Sequence, residues 1–186
     1  MRKIHFCERY MIPIYKMPEV ESNSLTYEEC EYIKQSALPK LSDAGLSLDK
    51  FIDKTIRNAN ECTLDVDDPK ISEIMNRYTE HPKRCEGLRV VRYKRGGLYK
   101  PHQDAHETYK NNRVHTFIFA LNDDYEGGET IFPNIKKSFK LKMGDALSFD
   151  TLDSWGGITD DALHGGEPVT SGEKWIAIIW ERQFDI

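Results

Sequence analysis

The chain has 186 residues, 39% of them hydrophobic and 31% charged, with a formal net charge of −5 at pH 7. These values are typical of a single globular domain, and the acidic balance argues against a generally basic surface for nucleic acid. No apolar run reaches the roughly 20 residues that a membrane helix needs, and the N-terminus lacks the apolar stretch of a secretory signal. We therefore expect a cytoplasmic or otherwise intracellular protein that binds neither nucleic acid nor membrane.

A first helix is predicted to begin after residue 26. Thr26 and Glu29 match the S/T-x-x-E capping box, and Leu25 is placed to pack against Cys30 across the first turn. The pattern continues towards Pro39, which has no N–H to extend a helix. We expect this helix to serve core packing.

A second helix is predicted to start at Asp68 and Pro69, because Asp is a good N-cap and Pro fits the first helical position. Apolar residues then recur on one face, at Ile71, Ile74, Met75 and Tyr78. Pro82 marks its end. This helix is also expected to pack on the core.

The four cysteines, Cys7, Cys30, Cys62 and Cys85, are scattered and form no Cys-x-x-Cys pair. This spacing favours reduced, partly buried thiols, with a single disulfide bridge as the alternative.

From residue 88 onward the sequence is rich in β-branched and aromatic residues, in short runs separated by Gly, Pro, Asn and Asp. The predicted strands are 88–94, 113–122, 129–132, 139–142, 146–149, 163–169 and 174–181. Many short strands at this spacing predict a mainly β protein with flanking helices and a double-stranded β-helix, or jelly-roll, core. We expect one domain over residues 1–186, with a helical support region at 1–86 and the jelly-roll core at 87–183.

The first chemical signal is His102-Gln103-Asp104. Residues two apart in a strand point to the same face, so an imidazole and a carboxylate converge on one point. The pair alone is a weak signal and needs a third ligand from another strand. His164 is the best candidate, because it begins a predicted strand and is followed by two glycines that leave room for a metal. The other histidines are His5, His81, His106 and His115.

Two histidines and one carboxylate form the facial triad of non-haem Fe(II) oxygenases, which leaves the opposite face of the metal open. A structural zinc site would be closed by a fourth protein ligand, and no fourth ligand suggests itself in the sequence.

Lys174 lies ten residues after His164 and opens a strongly apolar run, KWIAIIW. Alternation places Lys174 on the same face as Ile176, Ile178 and Trp180. An ammonium pointing into an apolar barrel needs an anionic partner, and a dicarboxylate cosubstrate would supply one. The alternative is that Lys174 lies at the mouth of the strand and extends its amine to water. Spacing alone leaves both interpretations open.

Residues 89–182 resemble the catalytic domain of the prolyl 4-hydroxylases. Four segments carry the resemblance in order and spacing, namely RYKRGGLYKPHQD, RVHTFIFALNDDYEGGETIFP, KLKMGDALSFD and LHGGEPVTSGEKWIAIIWER. Residues from about 10 to 86 resemble the helical N-terminal part of the family more loosely.

The resemblance implies that His102, Asp104 and His164 are ligands of Fe(II), and that Lys174 pairs with the distal carboxylate of 2-oxoglutarate. Tyr93 would hydrogen-bond the same cosubstrate. The resemblance also implies that Thr116 and Trp180 line the cosubstrate pocket and that Arg113 contacts the peptide substrate. Tyr93 and Trp180 could instead be plain core residues, and Arg113 a solvated charge at a strand end. Gly127-Gly128 matches a characteristic turn of the family, which we expect to be structural.

The implied activity is that of a 2-oxoglutarate-dependent dioxygenase that hydroxylates proline residues in peptides or proteins, using O2, with ascorbate as a candidate reductant. The walls of a substrate groove are expected in two loops, 54–62 with Arg57 and 150–162 with Trp155. Trp155-Gly156-Gly157 is a candidate for a mobile lid, and the sequence leaves this open. Where the family usually has Arg-x-Ser, this chain has Arg57-Asn58-Ala59, which weakens the expectation for peptide contacts. His106 is interpreted as a loop residue and His115 as a residue of the pocket rim.

Three alternatives to this function remain. One is an enzyme of the same mechanism acting on a free amino acid or another small molecule. The second is a non-catalytic jelly roll that binds a metal or ligand, which the set of His102, Asp104, His164 and Lys174 argues against. The third is a nucleic-acid demethylase, which the acidic balance disfavours. The sequence does not predict the oligomeric state.

Overall fold

The computed structural model describes residues 12–46 and 51–186. The helices are α1 (Tyr27–Ala37) and α2 (Pro69–Asn76), with short 3-10 helices at Leu38–Lys40, Pro82–Arg84 and Asp160–Ala162. The strands before α2 are β1 (Glu19–Glu21), β2 (Ser42–Asp43), β3 (Arg57–Asn58) and β4 (Asn60–Leu64). Those after it are β5 (Leu88–Tyr93), β6 (Leu98–His102), β7 (Arg113–Ala120), β8 (Glu126–Gly127), β9 (Thr130–Phe132), β10 (Lys137–Phe139), β11 (Ala146–Asp150), β12 (His164–Gly166), β13 (Val169–Ser171) and β14 (Lys174–Arg182).

The described strands form two main antiparallel sheets. The larger sheet has the order β1-β11-β7-β14-β5-β4-β2, and the smaller has the order β10-β9-β12-β6-β3. A third, two-stranded sheet pairs β13 with β8. Together with the solved structures of similar fold reported below, this arrangement confirms the predicted jelly roll.

The larger sheet is buried on both faces, which explains the near-continuous apolar run of β14. Ile176 and Ile178 belong to a core cluster between the two main sheets, together with Phe132. Ala177 and Ile179 point the other way, into a second cluster that also contains residues of both helices. The alternation that places Lys174 on the inner face is therefore real in the structure.

Both predicted helices are confirmed, including their caps. The side chain of Thr26 accepts a hydrogen bond from the N–H of Glu29, and the Glu29 carboxylate accepts one from the N–H of Thr26. The Asp68 carboxylate accepts from the N–H groups of Lys70 and Ile71, so it satisfies donors that a helix start leaves open. Each helix buries one apolar face against the larger sheet.

The prediction that residues 1–86 are helical was wrong in part, because four strands, β1 to β4, lie there within the described chain. The predicted loop 54–62 contains β3 and the start of β4, which pair with β6 and β5. These strands are too short to show a period of their own, and they form only because a partner edge is available. The strand predicted at 139–142 lies earlier, at β10, and the one predicted at 163–169 is divided into β12 and β13.

Cys30, Cys62 and Cys85 are free and buried, as expected for reduced thiols. Cys7 and His5 lie outside the described residues. Within residues 12–46 and 51–186, no helix is long and apolar enough to cross a membrane.

Candidate active site

His102 ends β6 and His164 begins β12, and the antiparallel register of these strands places the two residues opposite each other. Asp104 follows β6 by two residues. One ligand atom from each of the three side chains lies within 4.8 Å of the others. The Asp104 carboxylate is 3.9 Å from Nε2 of His102 and 3.7 Å from Nε2 of His164. The structure therefore brings together the three residues predicted as metal ligands.

The orientation of both imidazoles suits metal binding. Nδ1 of His102 lies 2.9 Å from the carbonyl of Lys100, and Nδ1 of His164 lies 3.0 Å from the carbonyl of Ala162. An Nδ1–H donated to a carbonyl leaves the lone pair of Nε2 free for a metal. Burial, together with the nearby His164, lowers the pKa of His102 to about 3, so its imidazole is neutral at pH 7.

Asp104 is held in place by two hydrogen bonds to a single carboxylate oxygen. Oδ2 accepts from the hydroxyl of Thr116 at 2.8 Å and from the indole N–H of Trp180 at 2.9 Å. Burial alone would raise the pKa of Asp104, but His164, His102 and Arg113 nearby lower it overall, so the carboxylate stays ionised. Thr116 and Trp180 thus line the same cavity as the triad, but their polar atoms contact Asp104.

The triad opens into a cavity of about 1200 Å³ whose wall also contains Lys174 and Tyr93. The side chain of Lys174 is buried, with the residue 5% exposed, and Nζ donates to the carbonyl of Gly128 at 2.7 Å. Within the described residues no carboxylate lies at ion-pair distance from it. Burial and the neighbouring Lys140 lower its pKa to about 8. The buried position contradicts the alternative in which this amine extends to water.

Tyr93 is the register partner of Lys174 on the adjacent β5, and the Lys174 amine lies 5.7 Å from the centre of its ring. Burial raises the pKa of Tyr93 to about 12, so its hydroxyl remains protonated and able to donate. A phenol donor and a buried ammonium are the kinds of group that form charge-assisted bonds with a carboxylate. Two imidazoles and a carboxylate at the other part of the cavity fit Fe(II), which favours this donor set.

Comparisons with known proteins agree with this geometry. Residues 88–182 match the family described as the 2OG-Fe(II) oxygenase superfamily. A candidate prolyl 4-hydroxylase of Acanthamoeba polyphaga mimivirus is 33% identical over 184 residues, covering 91% of this chain and 75% of that protein. Prolyl 4-hydroxylase 13 of Arabidopsis thaliana is 32% identical over 188 residues, covering 86% of this chain and 69% of its own length. The chain belongs to the 2OG-Fe(II) oxygenase superfamily.

Within the superfamily, the chain belongs with the prolyl 4-hydroxylases, as the curated relatives show. Among solved structures, the 2OG complex of a viral collagen prolyl hydroxylase from Paramecium Bursaria Chlorella virus-1 aligns with a TM-score of 0.72 and 28% identity. That alignment covers 91% of this chain and 97% of the other. A prolyl-4-hydroxylase from Pseudomonas putida, at 15% identity and a TM-score of 0.66, shares the fold, with coverage of 89% and 92%.

Of the three residues predicted to contact substrate, Arg113 and Arg57 lie in the cavity wall and Trp155 does not. Arg113 lines the cavity, lies 3.8 Å from Asp104 and stacks on Trp180 at 3.6 Å. Arg57 is also buried in the cavity wall, where its guanidinium lies 4.7 Å from the centre of the Tyr99 ring.

Trp155 is 64% exposed and is not part of the cavity lining. Its loop is a tight turn in which the Asp153 carboxylate accepts from the N–H groups of Trp155 and Gly157. This arrangement does not support the predicted substrate contact. His115, predicted at the pocket rim, also lies outside the lining, and its Nδ1 is 2.6 Å from Asp150. His106 lies in a loop, as predicted.

Several residues of the cavity wall were not predicted from the sequence. Tyr99 stacks on the imidazole of His102 with ring centres 3.6 Å apart. In the sequence, its position three residues before His102 was the one feature that could have indicated this contact. Glu61 and Glu86 each bind arginines of the wall. Neither glutamate lies in a pattern that distinguishes it from a surface carboxylate.

Proposed function

We propose that this chain is an Fe(II)- and 2-oxoglutarate-dependent dioxygenase that hydroxylates proline residues in peptides or proteins. The observation that carries the proposal is a single cavity that contains the His102–Asp104–His164 triad and the buried, uncompensated ammonium of Lys174. An oxygenase of this type needs an open metal face and a cationic subsite for a dicarboxylate, and the cavity offers both.

In this proposal, His102, Asp104 and His164 hold Fe(II). Lys174 and Tyr93 bind the distal carboxylate of 2-oxoglutarate, since a buried ammonium and a phenol donor form charge-assisted bonds with it. When bound, metal and cosubstrate supply the oxidative chemistry that inserts one oxygen of O2 into a C–H bond. The protein orients them: Thr116 and Trp180 hold the carboxylate of Asp104, and ascorbate is proposed as an external reductant.

The prolyl substrate is supported by the relatives, which are described as prolyl 4-hydroxylases, and by a cavity volume of about 1200 Å³. The cavity wall beyond the triad includes Tyr99, Arg113 and Trp180, which border the space that an extended chain would occupy. We propose Arg113 and Arg57 as substrate-contacting residues and do not retain Trp155. We also propose that residues 1–186 act as one oxygenase domain whose first 86 residues support the jelly-roll core.

The test uses the protein reconstituted anaerobically with Fe(II) and 2-oxoglutarate, then exposed to air with proline-rich peptides or free amino acids. We expect peptide-stimulated succinate formation and a peptide mass gain of one oxygen atom. His102→Ala should lose metal binding and succinate formation together, whereas His81→Ala, at an exposed histidine outside the cavity, should retain both. Stimulation by free proline, with none by any peptide, would replace the peptidyl substrate with a small molecule.

A further inference from the structure

The cavity wall beyond the triad contains two clusters in which one glutamate lies between two arginines. In the first, which we call the Glu86 cluster, Arg113 donates to both carboxylate oxygens of Glu86 at 2.7 and 2.9 Å. Arg182 contacts the same carboxylate at 2.8 Å. Neighbouring arginines lower the pKa of Glu86 against the effect of burial, so the carboxylate is ionised. The cluster therefore carries one excess positive charge.

The second, which we call the Glu61 cluster, repeats this arrangement on β3, β4 and β5. Glu61 contacts Arg57 at 2.6 Å and Arg89 at 3.2 Å. Both arginines line the cavity. Within the described residues, the contact of Nη1 with Glu61 is the one ion pair of Arg89, and its Nε is buried, so Nη2 is the nitrogen left for a further acceptor.

The two clusters meet at Trp180. Arg113 of the Glu86 cluster lies 3.6 Å from the centre of the Trp180 indole, and Arg89 of the Glu61 cluster lies 5.8 Å from it. Trp180 in turn donates to Asp104, and Arg113 lies 3.8 Å from the same carboxylate, so the Glu86 cluster borders the triad and the Glu61 cluster lies on the other contact of the indole. A substrate that reaches the triad passes beside guanidinium groups.

The charge of the cavity is opposite to that of the chain. Over the part of the chain that the structure describes, the cavity is lined by seven lysines and arginines and four aspartates and glutamates, whereas the whole chain carries −5. Bound Fe(II) and the 2-oxoglutarate dianion have opposite and equal charges, so the positive excess remains in the loaded enzyme. A concave, positively charged wall concentrates anionic ligands and favours their productive encounter.

We propose that this cavity selects proline peptides that carry an acidic side chain near the target proline, and that Arg89 and Arg182 determine this preference. The inference rests on the proposed function. These two residues are the more exposed of each pair, with side chains 28% and 22% exposed, against 10% for Arg57 and 20% for Arg113. A guanidinium attracts a carboxylate by its charge, which a neutral side chain lacks. Arg182 exerts this attraction although its Nη1 donates to the carbonyl of Asn111 and its Nη2 contacts Glu86.

The experiment compares peptides of one proline-rich sequence in which a single position within two residues of the target is Glu, Gln or Lys. We expect kcat/KM, measured by succinate formation at low ionic strength, to follow the order Glu, Gln, Lys, with about a five-fold difference per step. The difference should shrink at high salt, because exposed charges are screened.

Arg89→Gln and Arg182→Gln should each lower the ratio of kcat/KM for the Glu peptide to that for the Gln peptide. The KM for 2-oxoglutarate should stay unchanged, which reports an intact fold and cosubstrate subsite. Arg95→Gln removes an exposed arginine outside the cavity and should leave the ratio unchanged. A ratio near one in the unmodified enzyme, or equal loss in the Arg95 variant, would overturn the proposal.

A binding measurement separates this inference from the proposed function. The dissociation constants of the same peptides are measured anaerobically with Mn(II) and 2-oxoglutarate, so that no turnover is required. If the Glu peptide binds more tightly but is not hydroxylated in air, the preference for acidic peptides is supported and the proposed prolyl hydroxylase activity is contradicted. Hydroxylation of all three peptides with equal efficiency would support the assignment and sink acidic selection.

Discussion

The indole N–H of Trp180 donates a hydrogen bond to Oδ2 of Asp104 at 2.9 Å. The hydroxyl of Thr116 donates to the same oxygen at 2.8 Å. All three side chains are buried. Two donors on one oxygen restrict rotation of the carboxylate, and such outer partners of a ligand tune the affinity of a metal site.

Removing either donor should therefore weaken metal binding. We expect Trp180→Phe and Thr116→Val each to lower the affinity for Fe(II) by about ten-fold or more, because the free carboxylate loses its fixed orientation. Anaerobic calorimetry of Fe(II) or Mn(II) binding measures this effect without turnover. Trp155→Phe, at an exposed tryptophan outside the cavity, serves as the control. Unchanged affinity in both test variants would show that Asp104 needs no such support.

Lys174→Met should separate cosubstrate binding from metal binding. Loss of the buried ammonium leaves one carboxylate of 2-oxoglutarate without its partner, which we expect to raise the KM for 2-oxoglutarate by about 100-fold. Metal affinity should change little, because Lys174 contacts Gly128 and none of the three candidate ligands. Steady-state kinetics and calorimetry check the two results, with Lys137→Met at an exposed strand position as the control. A normal KM would contradict the assigned role.

The same lysine should make stability depend on pH in the absence of cosubstrate. Burial lowers the pKa of Lys174 from 10.5 to about 8 in the folded state. Below pH 8 the amine is charged in both the folded and unfolded states, and the full cost of burying that charge is present. Between about pH 8 and 10.5 the folded state has released its proton and the unfolded state has not, so the free energy of unfolding rises with pH.

The rise attributable to Lys174 is about 3 kcal/mol, from about 1.4 kcal/mol for each unit of pKa difference. Urea unfolding at pH 7 and pH 10 measures it as the difference between the unmodified chain and Lys174→Met, which lacks the titrating group. Parallel pH profiles for the two proteins would mean that the folded-state pKa is close to 10.5.

Gly128→Ala should disturb the cosubstrate lysine through the backbone. Gly128 has a φ of +67°, and a Cβ there would lie 3.0 Å from Cγ2 of Val169 and 3.3 Å from Cδ of Lys174. We expect a loss of about 1–3 kcal/mol in the free energy of unfolding and a several-fold higher KM for 2-oxoglutarate. Gly96→Ala is a matched control, because Gly96 has a φ of +78° and a Cβ there would meet no atom within 4 Å. Equal KM values in the two variants would contradict a positioning role for Gly128.

Local signals explain which elements were predictable. The caps of α1 and α2 depend on contacts within four residues, so the sequence predicts both helices correctly. The two-residue strands β2 and β3 lack any periodic signal and exist only through pairing with β4 and β6. For the same reason the loop predicted at 54–62 was wrong.

The candidate site shows the same division. The residue types at His102, Asp104, His164 and Lys174 were chosen correctly from spacing and chemistry, in the sense that the structure places all four on one cavity. Their roles as ligands and as cosubstrate partner remain predictions. The Glu61 and Glu86 clusters could not be predicted, because each joins side chains from strands separated by long stretches of sequence.

By itself, the sequence determined the chemistry available, namely two imidazoles, a carboxylate and a lysine on an apolar strand. The tertiary structure decided how far apart these four side chains lie. The register of β6 and β12 places His102 opposite His164, although they are 62 positions apart in the chain. Gly165 permits this pairing, because a Cβ there would lie 2.8 Å from the carbonyl of Tyr99. Trp180 was expected to line the cosubstrate pocket, and in the structure its indole donates a hydrogen bond to Asp104. Only the pairing of strands brings this residue, near the end of β14, close to a carboxylate that follows β6.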